Sequence, residues 1–400
     1  MNGATLPSRS GRQRRSLRSG ARARPAPVLL DGAARRAAVE EVLSGRPIPE
    51  VAGERGVDAA EVQAWVELFQ AGASRRRLRV CGSVAEAAGE TPLVRLGRVL
   101  GDLPGEAFAK LELMNPTGSS KDRVARHMVR AAAADGRLQA GDVLVEASSG
   151  NTALGLGMMA ALDGYGCKVV VRDRTSPEKV RALRALGVEV ERVDGSLPPE
   201  HPESYGRVMA RVVAETPGAY FPDQHNNREN NAAHYASTGP ELWEQLGGRL
   251  DVLVCGIGTG GTLGGVARYL KERAPEVRVV AVDAEGSVFA ELFRSGRAEG
   301  ARPYLLEGLG DEEPVGCVEW ELIDEVLQVS DRDAFHAARE LARREGIFAG
   351  GSSGAALHAV RQVMARSERP LRVATIFPDS GHRYLSTFYD DAWLAARGLL

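Results

Sequence analysis

Lys121 occupies a position where a lysine could act as a nucleophile. Residues 108–113 alternate between apolar and polar side chains, as a half-buried strand does, and a turn containing Asn, Pro and Gly follows. Ser119 or Ser120 can then cap a helix whose first turn contains Lys121. The positive end of the helix dipole disfavours an ammonium group, so burial there would lower the pKa of Lys121 and make it a Schiff-base candidate. The alternative is a solvated lysine paired with Asp122.

A second polar cluster follows the strand-like run at 142–146 and opens a helix. Hydroxyl groups, a side-chain amide and consecutive backbone N–H groups at a helix N-terminus form an anion cradle suited to a carboxylate. The alternative is a helix with more capping groups than it needs. The residues concerned are Ser148, Ser149, Gly150, Asn151 and Thr152.

A glycine-rich loop follows the next strand-like run, at 252–255. Gly256, Gly258 and Gly261 satisfy the pattern GxGxxG, and Asp283 ends the following strand, so a nicotinamide dinucleotide is one interpretation. Because Thr259 and Thr262 add two hydroxyl groups among the glycines, the loop suits a single terminal phosphate equally well. The loop lacks the GK[ST] signature of triphosphate-binding loops.

Ser380 follows the apolar run at 373–377, so it lies just past a strand end, as the other two loops do. The alternative is an ordinary serine in a turn, which would have the same sequence pattern. These features together meet the requirements of a pyridoxal-phosphate enzyme that acts on an amino acid. Such an enzyme needs an activated lysine, a loop for one phosphate, a binding loop for a carboxylate and a hydroxyl group at a strand end.

Alternating strand-like and helical segments must position these groups. They predict a parallel-rich sheet covered by helices on both faces, with ligands at the carboxyl ends of the strands. The strand-like runs are 142–146, 168–172, 188–193, 252–255, 277–282 and 371–377, and the helical runs are 153–162, 176–186, 262–273, 331–345 and 355–365.

Composition excludes several classes of protein. The 400 residues carry 51 basic and 53 acidic side chains, a net charge of −2. The chain as a whole therefore lacks the excess positive charge of a protein that binds nucleic acid along its entire surface. The four cysteines are scattered singly, which predicts reduced thiols, no zinc or other metal site and a cytoplasmic location. No apolar run reaches membrane-spanning length.

The N-terminal part has a different composition. Residues 1–29 are rich in arginine and lack acidic side chains, which predicts a disordered basic tail. Residues 30–78 predict a small helical segment and linker that weakly resembles a helix-turn-helix, with a turn at Gly56 and a helix capped by Asp58. Since that helix carries Glu61 and Glu67, docking or dimerisation is favoured over DNA binding.

The motifs NPTGSSKDR, SSGNT, GTGGT and PDSG together resemble the pyridoxal-phosphate-dependent cystathionine β-synthase and cysteine synthase family, over residues 89–391. The resemblance implies the α/β architecture called fold type II, which is that of the tryptophan synthase β subunit. It has two α/β subdomains in a catalytic domain at 79–391, the smaller one at about 113–222 being inserted in the larger. The resemblance also implies a homodimer.

The same resemblance implies roles for individual residues. Lys121 would hold pyridoxal 5'-phosphate, Asn151 would also contact its ring hydroxyl, and Ser380 would face its pyridine nitrogen. The phosphate loop would be Gly258, Thr259, Gly260, Gly261 and Thr262. The substrate would be bound by Ser148, Ser149, Gly150, Thr152 and Gln224.

The implied activity is β-replacement on L-serine or an O-activated L-serine through an aminoacrylate. A neutral Ser380 favours loss of the β-substituent over transamination. Segments 222–243, 283–287 and 304–310 look most like cystathionine β-synthases, which join serine to homocysteine, whereas Asp311 and Glu312 depart from that pattern. The alternatives are an O-acetyl- or O-phosphoserine sulfhydrylase, an amine-using diaminopropionate-type synthase, a nicotinamide-dependent oxidoreductase and a DNA-binding regulator.

Overall fold

The computed structural model describes residues 32–75, 80–148, 150–173, 175–198 and 200–400. The chain divides into two compact units, one up to Val80 and one from Cys81 onward. The predicted basic tail at 1–29 lies outside the described residues.

The described part of the first unit is helical. Helix α1 spans Gly32–Leu43, α2 spans Ile48–Arg55 and α3 spans Ala59–Arg75. Gly56 ends α2 in a left-handed conformation with φ of 67°, which glycine adopts without strain. Asp58 accepts a hydrogen bond of 2.8 Å from the backbone N–H of Ala60, as its predicted capping role requires. A small core that includes Val51 and Val62 holds the helices together.

The second unit contains ten strands and eleven further α-helices among its described residues. The strands are β1 Leu93–Leu96, β2 Gly105–Leu111, β3 Val143–Ala147, β4 Gly166–Arg172, β5 Glu189–Val193, β6 Ala219–Tyr220, β7 Val252–Gly256, β8 Arg278–Ala284, β9 Glu325–Val329 and β10 Leu371–Phe377. The helices are α4 Lys121–Ala134, α5 Asn151–Asp163, α6 Pro177–Ala185, α7 Tyr205–Glu215, α8 Glu229–Tyr235, α9 Thr238–Gln245, α10 Gly261–Lys271, α11 Phe289–Ser295, α12 Asp331–Glu340, α13 Gly351–Ala365 and α14 Asp391–Ala395. No described helix is long and apolar enough to cross a membrane.

The larger sheet has six strands in the order β1-β2-β10-β7-β8-β9, parallel except for β1. Both of its faces are buried, as β7 illustrates. Val252 and Val254 pack into one apolar core, and the alternate residues Leu253 and Cys255 pack into the other. This two-sided burial explains why the strand is an unbroken apolar run in the sequence.

The smaller sheet has four parallel strands in the order β5-β4-β3-β6. Leu144 of β3 packs with residues of α5 on one face, and Val145 packs with residues of α7 on the other. The predicted α/β class, with two parallel-rich sheets covered by helices and a helical segment before them, is confirmed.

The register of the larger sheet brings three loops together. Phe377 at the end of β10 pairs with Leu111 at the end of β2, and β7 runs parallel to β10 on the other side. Three segments therefore leave the sheet at the same edge, the one formed by the carboxyl ends of its parallel strands. They are the turn before Lys121, the glycine loop after β7 and the segment after β10. Ligands bind at such an edge in open α/β sheets.

Candidate active site

The turn between β2 and α4 presents Lys121 as the first residue of a helix. Asp122 folds back onto this turn, where its carboxyl group accepts a 2.6 Å hydrogen bond from the backbone N–H of Thr117 and another from the Thr117 hydroxyl. Ser120 is the residue that precedes α4, and its side chain makes no capping hydrogen bond, whereas Ser119 Oγ accepts a 3.3 Å hydrogen bond from the backbone N–H of Lys121. Since Asp122 is occupied by the turn, the alternative of a solvated Lys121–Asp122 pair is wrong.

Lys121 lines a cleft with an empty volume of about 450 Å³. Burial lowers the pKa of its amine, while the charge of Asp379 acts in the opposite direction. A lowered pKa increases the fraction of neutral amine, which is the form that reacts with carbonyl groups. The cleft is also lined by Cys255, Gly256, Gly258, Thr259, Gly260, Thr262, Gly308, Leu309, Ser352, Ile376 and Pro378.

The glycine loop approaches neighbouring backbone so closely that side chains are excluded. A Cβ atom on Gly258 would lie 2.6 Å from the carbonyl oxygen of Gly308. Gly260 has a φ of 87°, and a Cβ there would lie 2.6 Å from the backbone nitrogen of Val318. The loop then enters α10, whose first turn has N–H groups without partners inside the helix. These features make an anion site that fits a phosphate group.

Buried polar side chains orient the two threonines of this loop. Asn230 Nδ2 donates a 3.0 Å hydrogen bond to Thr259 Oγ1. His234 Nε2 lies 3.1 Å from Thr262 Oγ1, and its Nδ1 lies 2.9 Å from the hydroxyl of Thr238. Burial lowers the pKa of His234 to about 3, so the imidazole is neutral. If Nε2 carries the proton, Thr262 accepts from it and keeps its own hydroxyl proton for a phosphate oxygen.

The dinucleotide interpretation fails at Asp283. This side chain is fully buried, and its carboxyl oxygens accept hydrogen bonds from the backbone N–H groups of Ala284 (2.9 Å) and Ala290 (3.0 Å). Asp283 therefore caps the start of α11 and offers nothing to a ribose hydroxyl. The nicotinamide alternative is not supported.

The predicted carboxylate cradle lies between β3 and α5. Ser148 Oγ accepts a 3.4 Å hydrogen bond from the backbone N–H of Gly150, which precedes the first residue of α5. The buried hydroxyl of Thr152 donates to Oε1 of Gln224, which is 5 % exposed. The predicted substrate residue Gln224 thus contacts the loop from a distant part of the chain, and Ser149 lies outside the described residues.

Ser380 is held between two other segments of the site. Its backbone N–H donates a 3.1 Å hydrogen bond to the carbonyl oxygen of Gly118, and a bridge pairs it with Ala349 on the other side. Its hydroxyl lies 2.8 Å from Nδ1 of His382. Sequence reasoning did not select His382.

Sequence reasoning also missed Asp379, Arg383 and Tyr384, which surround Asn151. Asn151 Nδ2 donates a 2.9 Å hydrogen bond to Asp379 Oδ2, and the Tyr384 hydroxyl donates to the same oxygen at 2.7 Å. Arg383 donates to Asn151 Oδ1. The sequence signal for these three residues was their position beside Ser380 in the segment PDSGHRY. The sequence does not show in which direction each side chain points.

The described residues include no cluster of His, Cys, Asp or Glu that could hold a metal ion. What they fit is a phosphorylated carbonyl compound, because an anion loop and a lysine of lowered pKa line one cleft.

Comparison with known proteins agrees with this chemistry. Residues 84–379 match the family described as pyridoxal-phosphate dependent enzyme. An N-(2-amino-2-carboxyethyl)-L-glutamate synthase of Cupriavidus metallidurans is 42% identical over 79% of this chain and 92% of its own. A solved structure, an O-acetylserine dependent cystathionine beta-synthase from Helicobacter pylori, is 33% identical with a TM-score of 0.71, covering 78% of this chain and 99% of its own.

The cystathionine beta-synthase of Apis mellifera is 36% identical over 80% of this chain. The chain spans 64% of the length of that relative and 59% of the rabbit (Oryctolagus cuniculus) protein of the same name, less than two thirds in each case. The family match itself covers well over half of the chain, and the chain belongs to the family of pyridoxal-phosphate-dependent enzymes.

Proposed function

We propose that the protein catalyses β-replacement on L-serine or an O-activated L-serine, most like a cystathionine β-synthase. The observation that carries the proposal is the meeting of three loops at one sheet edge: the turn before Lys121, the glycine loop and the segment with Ser380. Pyridoxal 5'-phosphate, when bound, supplies a ring that withdraws electrons from the α carbon of an amino acid.

Lys121 is proposed to hold the cofactor and, once the amine of the incoming substrate has displaced it, to move the α proton. The lowered pKa of its amine supports both roles, because a neutral amine can form the covalent link and can accept a proton near neutral pH. Its position lining the cleft beside the glycine loop supports access to the reacting atoms. The amine returns the proton at the end of the replacement.

The glycine loop is proposed to hold the phosphate. Gly258, Thr259, Gly260, Gly261 and Thr262 are the residues assigned to this role. The backbone N–H groups at the start of α10 and the hydroxyls of Thr259 and Thr262 supply donors. Because His234 and Asn230 already fix these hydroxyls, the loop needs little rearrangement on binding.

The loop before α5 is proposed to bind the substrate carboxylate through Ser148, Ser149, Gly150 and Thr152, with Gln224 beside it. Thr152 donates to Oε1 of Gln224, so the side-chain N–H groups of Gln224 are directed away from Thr152 and can serve as donors. Asn151 and Ser380 are proposed to address the ring hydroxyl and the ring nitrogen of the cofactor. A neutral serine favours loss of the β-substituent over transamination.

The nucleophile has three candidates, of which sulfide is implied by the resemblance to cysteine synthases. The relatives named cystathionine beta-synthase support homocysteine, and the structural neighbour supports O-acetylserine as the donor. The relative named N-(2-amino-2-carboxyethyl)-L-glutamate synthase, matched over 92% of its length, supports L-glutamate, an amine nucleophile. Asp311 and Glu312 stand where the sequence departs from the cystathionine β-synthase pattern, which keeps the amine candidate open.

A product assay tests the proposal and separates the candidates. Protein loaded with pyridoxal phosphate is incubated with L-serine, O-acetyl-L-serine or O-phospho-L-serine, each together with homocysteine, sulfide or L-glutamate. Mass spectrometry should find one β-substituted product, and the Lys121→Ala protein should form none. A transaminated product, or no product from any of the nine combinations, would contradict β-replacement.

Three further assignments are proposed. The protein is a homodimer, as family resemblance suggests, and light scattering of the purified protein tests this. It is cytoplasmic, which its free cysteines support, since Cys167, Cys255 and Cys317 are buried thiols. Its N-terminal helices dock or dimerise, because Glu61 and Glu67 on α3 are exposed and would repel DNA phosphates. Salt-dependent DNA binding would contradict the last assignment and favour a regulator.

A further inference from the structure

The side chain of Asn151 is held in one orientation by two charged neighbours of opposite kinds. A guanidinium group only donates hydrogen bonds, and Arg383 donates to Oδ1 of Asn151. Asp379 Oδ2 is an acceptor, since it accepts from Nδ2 of Asn151 at 2.9 Å and from the hydroxyl of Tyr384 at 2.7 Å. Exchanging the amide oxygen and nitrogen would place donor against donor and acceptor against acceptor. The two neighbours therefore exclude the flipped amide.

Asp379 is fixed in turn by the packing around it. The side chain is 2 % exposed, and the hydroxyl of Tyr384 donates to the same Oδ2 atom at 2.7 Å. Burial raises the pKa of Tyr384 well above its ordinary value, so the phenol keeps the proton that it donates. A Cβ on Gly350 would lie 2.0 Å from Asp379 Oδ1, which shows how closely the chain encloses this carboxyl group.

Arg383 joins Asn151 to the turn that carries Lys121. Besides Oδ1 of Asn151, it donates to the carbonyl oxygens of Thr117 and Gly118, the latter at 3.2 Å. One guanidinium group thus links the start of α5, which follows β3 of the smaller sheet, to the turn before Lys121, which follows β2 of the larger sheet. Arg383 and Asp379 are four residues apart on the same segment, so a single stretch of chain supplies both neighbours of the amide.

We propose that Arg383 and Asp379 are positioning residues, which orient Asn151 so that its second Nδ2 hydrogen is the donor for the acidic oxygen of the cofactor ring. An amide nitrogen carries two hydrogens, and Asp379 uses one of them. The remaining hydrogen is the only side-chain donor that Asn151 still has, and an acidic ring oxygen requires a donor. This inference rests on the proposed function, in which Asn151 contacts the ring.

A double-mutant cycle tests whether Arg383 acts through Asn151. The measured quantity is the dissociation constant of pyridoxal phosphate, read from the visible absorbance during titration of the cofactor-free protein. Arg383→Gln should weaken binding roughly 10-fold in the wild-type background, because the hydrogen bond that holds Asn151 Oδ1 is lost. In the Asn151→Ala background the same change should weaken binding clearly less, because only the contacts of Arg383 with the carbonyl oxygens of Thr117 and Gly118 are then lost.

Asp379→Ala is a second variant, which removes the acceptor of the Asn151 Nδ2 hydrogen bond, and it should show the same dependence on Asn151. Arg294→Gln is the control, because it removes an exposed arginine paired with Glu291 and should leave binding unchanged in both backgrounds. A purely structural role would make Arg383→Gln equally harmful with and without Asn151, and that result would overturn the inference. Failure of the wild-type protein to bind pyridoxal phosphate would instead overturn the proposed function and this inference with it.

Discussion

The backbone N–H of Ser380 donates a 3.1 Å hydrogen bond to the carbonyl oxygen of Gly118, three residues before Lys121. A further bridge pairs Ser119 with Asp379. The segment after the last strand and the turn before the lysine are therefore one structural unit, although more than 250 residues separate them in sequence. A substitution that displaces one of these two segments should therefore also displace the other.

Gly258→Ala should weaken binding of pyridoxal phosphate without unfolding the protein. The added Cβ would lie 2.6 Å from the Gly308 carbonyl oxygen, and overpacking of this kind typically costs about 1–3 kcal/mol. We expect a loss of affinity of roughly 10-fold, measured by titration of the visible absorbance. Gly206→Ala on α7, where a Cβ would meet no atom within 4 Å, is the control. Unchanged affinity of Gly258→Ala would exclude this loop as the phosphate site.

Arg123→Met should destabilise the protein strongly. Arg123 is 1 % exposed and makes two hydrogen bonds to buried Glu112, at 2.7 and 2.8 Å. Removing one member of a buried ion pair leaves the other charge uncompensated, which costs about 3–5 kcal/mol. Urea denaturation should show this loss of unfolding free energy. Arg181→Met, which removes an exposed pair with Glu178, should change it by less than about 1 kcal/mol, and equal effects of the two changes would contradict the reasoning.

Glu146→Gln should make stability less dependent on pH. Glu146 is 1 % exposed, and burial raises its pKa from 4.5 to about 8. A raised folded-state pKa means that the stability contributed by the protonated form is fully present below 4.5 and is lost as the pH rises to about 8.

The melting temperature of the wild-type protein should therefore fall between about pH 5 and about pH 8, and glutamine at 146 should reduce the fall. Glu200→Gln, which changes an exposed carboxyl group, serves as the comparison. A fall of the same size in wild type and Glu146→Gln would show that Glu146 does not carry this dependence.

Sequence patterns predicted the parallel core of the fold and the loops that build the site. Runs such as 252–255 and 371–377 are apolar throughout because both faces of the larger sheet are buried. Strand β1 was not predicted. Among the described strands it pairs with β2 alone, and that pairing is antiparallel, a relationship that no local sequence pattern contains. The short helices α8 and α9 were also missed, because polar residues such as Asn230 and His234 are buried there to serve the glycine loop.

Sequence reasoning selected Lys121, the glycine loop and Ser380 because each follows a strand. It could not select Asp379 or Arg383 as neighbours of Asn151, since these contacts join residues more than 225 positions apart. A sequence motif predicts where a loop lies along the backbone. The hydrogen-bond partners of its side chains depend on the directions of those side chains, which the tertiary structure determines.

Borohydride reduction of the protein loaded with pyridoxal phosphate, followed by peptide mass spectrometry, tests the central claim most directly. Reduction links the cofactor permanently to the amine that held it. We predict that the modified peptide contains Lys121 and that the modification is absent from the Lys121→Ala protein. Modification of a different lysine, or none at all on a protein that binds the cofactor, would contradict the role assigned to Lys121.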